Sequence, residues 1–210
     1  MTTQLSLYND AIVHVGERPL VSLVDNTEPR RILDTIWPGV RDYCLEQGHW
    51  KFAQRSAKLS YSTSITPAWG FARAFPQPAD FVRLSAFCSD EFFTSPVSQF
   101  REEAGVYFTT LDTIYLQYVS NDVAYGYDLS LWPESFSLYV SLYLAWRSGT
   151  RISAAADRDQ LGNDMERARL NALAKDAVSG PTQFLPIGNW ASTRTSGTNR
   201  GRNSKSSLYG

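Results

Sequence analysis

The first apolar pattern along the chain predicts an amphipathic helix over residues 2–16. Its apolar side chains recur every three or four residues and fall on one face: Leu5, Tyr8, Ile12 and Val15. Thr2 or Thr3 can cap this helix, and Gly16 is a residue type that readily ends one. Because Pro19 follows, the next segment is predicted to be a connector.

A second helix is predicted over residues 28–49, with Pro29 in its first turn. Pro38 lies inside it and is expected to kink or split it. The stripe expected to face the core consists of Ile32, Ile36, Val40 and either Tyr43 or Cys44. The charged residues lie largely off this stripe, on a face that is either solvated or, in a ring-forming protein, in contact with a neighbouring copy: Arg30, Arg31, Asp34, Arg41, Asp42 and Glu46.

Two more helices are predicted towards the end of the chain. Residues 132–152 carry apolar side chains around much of the helix circumference, which is typical of the central helix of a bundle. Trp132 and Trp146 are expected on similar sides of it. Residues 155–178 form an Ala-rich fourth helix with acidic residues in its first half and Lys175 near its end, as the helix dipole favours.

Between the second and third helices the pattern changes to that of strands. Residues 52–61 alternate weakly between apolar and polar, and residues 87–93 continue a strand or strand pair. Residues 106–108 and 113–119 are interpreted as the two strands of a hairpin, since the second alternates cleanly and is rich in β-branched and aromatic residues. We therefore expect a small, mainly antiparallel sheet here.

The segment 69–84, with the sequence WGFARAFPQPADFVRL, marks the change from helix to sheet. Pro76 and Pro78 disfavour a continuous helix, because proline lacks the N–H donor and restricts the residue before it. We expect an extended arm, a turn and then a strand from about Phe81. Asp80 is expected to cap the turn through its side chain.

These elements predict an α+β fold, mainly a bundle of about four helices with a small inserted antiparallel β-domain and an extended C-terminal tail. The bundle is assigned to residues 1–50 and 121–182, the β-domain to 51–120 and the tail to 183–210. The tail is predicted to be extended or disordered because it is nearly all polar. Its apolar and basic residues suggest that it orders on a partner: Phe184, Leu185, Ile187, Trp190, Arg194, Arg200 and Arg202.

Composition and charge bear on whether the protein binds nucleic acid, is secreted or enters a membrane. The net charge of the whole chain is -1, although residues 183–210 hold four basic and no acidic residues. The N-terminus lacks the pattern of a signal peptide, and no apolar run approaches the length of a membrane span, so we expect a protein made in the cytoplasm without membrane contact.

The search for catalytic chemistry favours a protein that is not an enzyme. Cys44 and His49 fall on different faces of the second helix without a third group. The sequence has no glycine-rich phosphate loop, no zinc motif and no calcium loop, so neither a metal nor a cofactor is expected. Two alternatives stay open: a small hydrolase that uses Cys44 or Asp80, and a nucleic-acid-binding accessory protein in which Trp190 stacks on a base.

Four pieces of the sequence resemble the head-to-tail adaptor proteins of tailed bacteriophages, a family that includes tail tubular protein A and the gatekeeper connectors. The opening LYNDAIVHVGERPLVSL is similar to the family's short helix and Gly-Glu-x-Pro turn, and Arg30–Leu33 begins a helix that ends in His49–Trp50. The segment 69–84 is like the family's aromatic and proline-containing arm. Trp132–Pro133 leads to an Ala-rich helix and a tail that contains GNWASTR.

The resemblance implies a structural protein of the virion, located at the head–tail junction. Such proteins form a ring, usually of twelve copies, below the portal protein and extend the channel for DNA ejection. Genomic DNA passes through the lumen without sequence-specific binding, and the ring docks the next component, a distal tail or nozzle protein or tail fibres. The alternative is a nucleic-acid-binding accessory protein of phage assembly.

The resemblance also gives roles to particular residues. Trp190 and Arg194 fall in the tail motif and are implied to dock on the portal, together with the other apolar and basic residues of the tail. The arm residues are implied to hold the β-domain on the helical bundle: Trp69, Phe75, Asp80, Phe81 and Arg83.

Overall fold

A computed structural model describes residues 2–154 and 156–180, which form four α-helices and six β-strands. The helices are α1 (Gln4–Val15), α2 (Glu28–Glu46), α3 (Glu134–Ile152) and α4 (Arg158–Val178). The strands are β1 (Gln54–Ser60), β2 (Arg73–Pro76), β3 (Phe81–Cys88), β4 (Arg101–Glu103), β5 (Val106–Thr109) and β6 (Thr113–Ser120). Single 3-10 turns lie at Lys51–Ala53 and Leu129–Leu131. Residues 2–154 and 156–177 belong to one compact unit.

Both ends of α1 are fixed by local contacts that the sequence indicated. The Oγ1 of Thr3 accepts a hydrogen bond from the backbone N–H of Ser6 at 3.1 Å, and the Ser6 hydroxyl accepts one from the N–H of Thr3 at 2.9 Å. This reciprocal pair is a capping box. Gly16 follows the helix with a φ of +85°, in the left-handed region where glycine carries no Cβ penalty. The predicted first helix is confirmed.

Helix α2 differs from its prediction in length and in the face that it buries. It continues through Pro38 and ends at Glu46, so the expected split of the helix is wrong. Leu33 and Trp37 are buried, whereas Ile32 and Ile36 are only partly buried. In the first half of α2 the core-facing stripe is therefore turned by one residue from the one expected, because the two neighbouring stripes there are both apolar and their spacing is the same. In the second half, Val40 and Cys44 are buried as predicted.

Helix α3 packs mainly against α1 and α2 and carries the largest share of the helical core. It begins at Glu134, two residues later than expected, so Trp132 precedes the helix and does not lie on it. The indole of Trp132 is buried and donates to the carbonyl oxygen of Gly126 at 2.9 Å. Helix α4 adds three buried side chains to the same core: Leu161, Ala168 and Ala172.

The strands form two three-stranded antiparallel sheets rather than one. In the first sheet the order is β1-β6-β3, and in the second it is β2-β5-β4. The expected hairpin is wrong, because β5 pairs with β2 and β4 whereas β6 pairs with β1 and β3. Buried side chains of both sheets form one apolar cluster that includes Phe75 of β2, Phe87 of β3 and Tyr107 of β5.

The fold is α+β, but the expectation of a helical bundle with a small inserted β-domain is wrong. The helical core is completed by residues outside the helices, which include Trp50, Ala53 and Val119. Along β6, Tyr118 belongs to the cluster of the sheets and the next residue, Val119, to the helical core. The two sheets are therefore built into the same compact unit as the helices. The predicted tail, 183–210, lies outside the described residues.

Candidate functional site

Asp80 occupies a junction between the sheet of β1, β6 and β3 and the chain that leaves it. Its carboxylate accepts hydrogen bonds from the Arg55 guanidinium at 2.9 Å, from the Tyr118 hydroxyl at 3.1 Å and from the Ser120 hydroxyl at 2.5 Å. Its backbone carbonyl accepts from the N–H of Asn121 at 3.0 Å. The side chain of Asp80 thus joins the turn before β3 to β1 and β6, and its backbone carbonyl joins that turn to the segment that follows β6.

The surroundings of Asp80 keep its side chain ionised. Burial acts to raise the pKa of this carboxyl group, but the hydrogen bonds from Ser120, Arg55 and Tyr118 together outweigh burial and lower the pKa. For the neighbouring Tyr118, burial and the Asp80 charge raise the pKa to about 12. At neutral pH the group is an acceptor with its bonds already made, an arrangement suited to fixing strands rather than to transferring protons.

Arg83 links β3 to the end of α2. Its guanidinium donates to the backbone carbonyl oxygen of Glu46 at 2.8 Å, which is one of the last carbonyl groups of that helix. Two residues further along β3, the Ser85 hydroxyl lies 3.1 Å from Nδ1 of His49. Burial, and then the nearby Arg83 charge, lower the pKa of His49. These two contacts bring β3 against the segment that leaves α2.

The aromatic residues of the arm occupy different environments. Phe75 is fully buried in the cluster between the sheets. The ring of Phe81 lies 5.6 Å from that of Tyr118 between centroids, at the edge of the same cluster. Trp69 precedes β2, and 72% of its surface is exposed. Its ring lies against Arg101 of β4, whose guanidinium carbon is 4.7 Å from the ring centroid.

Cys44 and His49 do not form a nucleophile and base pair. Cys44 is completely buried, and burial raises the pKa of its thiol to about 12. His49 is exposed and is bonded to Ser85 instead. Asp80, the other residue considered for a hydrolase, is held by the three donors described above.

An open groove of about 620 Å³ lies between the first half of α2 and the second half of α3. We call it the arginine groove; it is lined by Glu28, Arg31, Ile32, Thr35, Ile36, Arg147 and Arg151. The isoleucines that the sequence placed in the core are part of its wall. The three arginines are exposed and form no ion pair with the residues that the structure describes. With one glutamate against three arginines, the formal charge of the groove is +2.

A second depression, of about 460 Å³, lies where the amino-terminal ends of α1 and α3 meet. We call it the acidic depression; it is lined by Thr2, Ser6, Asp10, Ser130, Trp132, Glu134 and Ser137. The hydroxyls of Thr2 and Ser137 are 3.1 Å apart and join the two helices at its wall. Asp10 and Glu134 are exposed, and within residues 2–154 and 156–180 neither forms an ion pair, so the formal charge is −2.

The two charged surfaces were found from the structure, not from the sequence. Arg31 had been placed on a solvated or copy-facing side of α2, but nothing in the pattern brought it together with Arg147 and Arg151. The available signal was the spacing of those two arginines, four residues apart on one helix. The residues predicted to dock on the portal, 184–202, lie outside the described part of the chain.

No group of three or more histidine, cysteine, aspartate or glutamate side chains is placed to hold a metal ion within residues 2–154 and 156–180. In the same residues, no helix combines the length and apolar character that crossing a membrane requires.

The chain was also compared with known proteins. No protein-family model matches the sequence, and no curated protein sequence matches it.

Proposed function

We propose that this chain is a structural adaptor of a tailed bacteriophage: a ring-forming virion protein that joins the portal to the tail, extends the DNA channel and docks the next tail component. It has no enzymatic role in this proposal. Its partners are the portal protein, neighbouring copies of itself and a distal tail protein, with genomic DNA passing through the lumen.

The observation that carries the proposal is the mutual contact of the sequence segments that resemble this family. Arg83, in the arm segment 69–84, bonds to Glu46, in the helix that begins with Arg30–Leu33. Helix α3, which follows Trp132–Pro133, packs against α1 and α2, the helices of the other two segments. The described parts of the segments that carry the resemblance therefore make up one structural framework, as is expected if they belong together.

The test is reconstitution with the portal protein of the same genome. The purified full chain is mixed with portal rings at low and at moderate salt, and the particles are imaged by negative stain with portal alone as the control. We expect an extra ring at one end of the portal, whose rotational symmetry gives the copy number. Absence of association at both salt concentrations would contradict the proposal.

A truncated chain examines the role of the tail. Deletion of residues 183–210 is expected to leave the circular dichroism spectrum and thermal midpoint of the folded unit nearly unchanged while abolishing portal binding. The matched control replaces the four basic residues of the tail with glutamine in the full-length chain, which separates the charge of the tail from its apolar residues. A truncated chain that still docks on the portal would refute the docking role.

The arginine groove gives one reason to test the nucleic-acid alternative in the same experiment. Binding to DNA phosphates weakens steeply as salt rises, because bound counterions are released. A gel-shift titration with duplex and single-stranded DNA at several salt concentrations therefore distinguishes the two functions. Tight, salt-sensitive DNA binding without portal association would favour the accessory protein.

A further inference from the structure

We propose that the arginine groove and the acidic depression are the two halves of a contact between neighbouring copies of this chain. In this contact Asp10 and Glu134 of one copy meet Arg31, Arg147 and Arg151 of the next. These are the faces through which the ring of the proposed function would assemble, so this contact rests on that proposed function.

The first argument is the state of the arginines. Arg30 and Arg41, elsewhere on α2, are paired with Asp34 and Asp42 at 3.1 and 3.6 Å. The three arginines of the groove are exposed, and none is paired with a residue in the described part of the chain. Arg147 and Arg151 lie one turn apart on α3, so both guanidinium groups project from the same side of the helix. Such a surface offers donors in a geometry suited to carboxylates.

The second argument is the position of the complementary surface. Glu134 begins α3, whereas Arg147 and Arg151 lie in its second half. At 1.5 Å per residue, the acidic and basic ends of this helix are separated by about 20–25 Å. Since the two surfaces face solvent at opposite ends of one rigid element, they cannot satisfy each other within one copy. A second copy can satisfy both, because the charges of +2 and −2 balance.

Shape and polarity favour the same pairing. The basic side presents long, exposed arginine side chains, and the acidic side is an open depression that such side chains can enter. Ile32 and Ile36 supply an apolar wall beside the arginines, and burying that wall adds a contribution that salt does not screen. The hydroxyl groups around Asp10 and Glu134 offer further acceptors to the guanidinium donors.

Two other occupants fit these surfaces less well. The chain's own segment 183–210 holds four basic and no acidic residues, so its charge suits the acidic depression but repels the arginine groove. A DNA strand would match the groove but would be repelled by the acidic depression. Only a second copy of the chain uses both surfaces at once. Because the two surfaces differ, a pair of copies joined by one contact still has a free arginine groove on one copy and a free acidic depression on the other. Further copies can therefore add at both ends, which gives a closed ring or a filament.

The test is a charge-reversal exchange in the full-length chain. One variant carries Arg147→Glu and Arg151→Glu, and the other carries Asp10→Lys and Glu134→Lys. A control with Arg18→Glu and Lys175→Glu has the same net charge as the first variant but alters exposed sites outside both surfaces. Self-association is measured by sedimentation velocity and mass photometry over a wide range of concentrations at low salt, and circular dichroism melting checks that each variant folds.

We expect the wild-type chain and the control to associate, and each charge-reversal variant alone to associate at least about tenfold more weakly, since opposed ion pairs become like-charge contacts. An equimolar mixture of the two folded variants is expected to recover association, because each variant then meets the opposite charge on its neighbour. A variant that does not fold is replaced by its single substitutions, Arg151→Glu or Asp10→Lys, in the same mixture.

The outcomes separate this contact from the adaptor function. Association that is unaffected by both reversals, or a wild-type chain that stays monomeric throughout, overturns the contact. A ring on the portal built from chains that carry either reversal alone also overturns it, while leaving the adaptor function in place. Association that stops at dimers, depends on both surfaces and recovers in the mixture supports the contact but counts against a ring.

Discussion

Replacement of Asp80 by alanine removes the acceptor that joins three donors at the edge of the first sheet. Tyr118 and Ser120 are 1% and 0% exposed, so their hydroxyl groups cannot turn to water when the carboxylate is lost. Leaving a buried donor without a partner costs about 1–3 kcal/mol of folding free energy. The lower half of that range applies to Ser120, because its oxygen still accepts from the N–H of Asp122 at 3.0 Å.

Loss of the ion pair between Arg55 and Asp80 adds less to the destabilisation than the short distance between the two groups suggests. The Arg55 side chain is 38% exposed, and Asp122 lies 3.9 Å from the same guanidinium nitrogen. The arginine of the variant therefore has both water and a second carboxylate available, so we assign less than about 1 kcal/mol to this pair. The expected total is about 3–4 kcal/mol, which corresponds to a drop of about 10 °C in the thermal midpoint of a chain of this size.

The matched control is Asp112→Ala. Asp112 accepts from Arg73 at 2.8 Å, a distance close to that of the Arg55–Asp80 pair, but its side chain is 73% exposed. Its removal is expected to cost less than about 1 kcal/mol and to lower the midpoint by no more than about 4 °C. Both variants are measured by circular dichroism melting and by urea unfolding at pH 7. Equal, small shifts for the two variants would refute the assignment of Asp80 as the junction of the sheet.

Three further predictions concern acid sensitivity and packing. Hydrogen bonds hold the pKa of Asp80 below its ordinary value of 3.8, so its contribution to stability is present above that pH and is lost as pH falls through the lowered value. Urea unfolding at a series of acidic pH values should show this loss in the wild type. In Asp80→Ala the free energy of unfolding should fall less steeply with decreasing pH. Trp132→Ala should destabilise the fold by about 3–5 kcal/mol, measured by chemical denaturation, because the indole is buried and bonded to Gly126; a loss below 1 kcal/mol would argue against its burial. Gly126→Ala should cost at least about 1–3 kcal/mol in the same assay, since a Cβ there would overlap the Ser120 carbonyl oxygen. The comparison variant is Gly16→Ala, where a Cβ meets no atom within 4 Å, so that only the strain of the backbone conformation is measured.

The sequence predicted best those features that depend on local chemistry. The start and end of α1 followed from Thr3 and Gly16, whose preferences act over a few neighbouring residues. The strand β6 followed from its alternating pattern. The proline-containing turn before β3 was likewise found in its expected place, since Asp80 is followed directly by a strand that begins at Phe81.

The features that were missed depend on partners distant in sequence. The short, exposed β4 has no apolar alternation and is a strand only because β5 pairs with it. The choice between Ile36 and Trp37 as the core-facing residue depends on such partners, since both lie on apolar stripes of the same period and the Trp37 ring packs against Tyr8 of α1 and against Trp132. The arginine groove likewise needs the packing of α2 on α3, which no pattern within either helix specifies.

At the end of β6 the two hydrophobic clusters meet at adjacent residues, which has a consequence for how the molecule can be divided. Because Tyr118 and Val119 are adjacent along the backbone, neither cluster can lose its share of this strand without exposing the other. Melting should therefore give a single transition with the same midpoint for the helical signal in circular dichroism and for amide exchange in β1. For the same reason the strands cannot be exchanged as a cassette between proteins: a graft that ends within β6 would divide both cores, and a functional chimera has to carry the strand together with the helices that it supports.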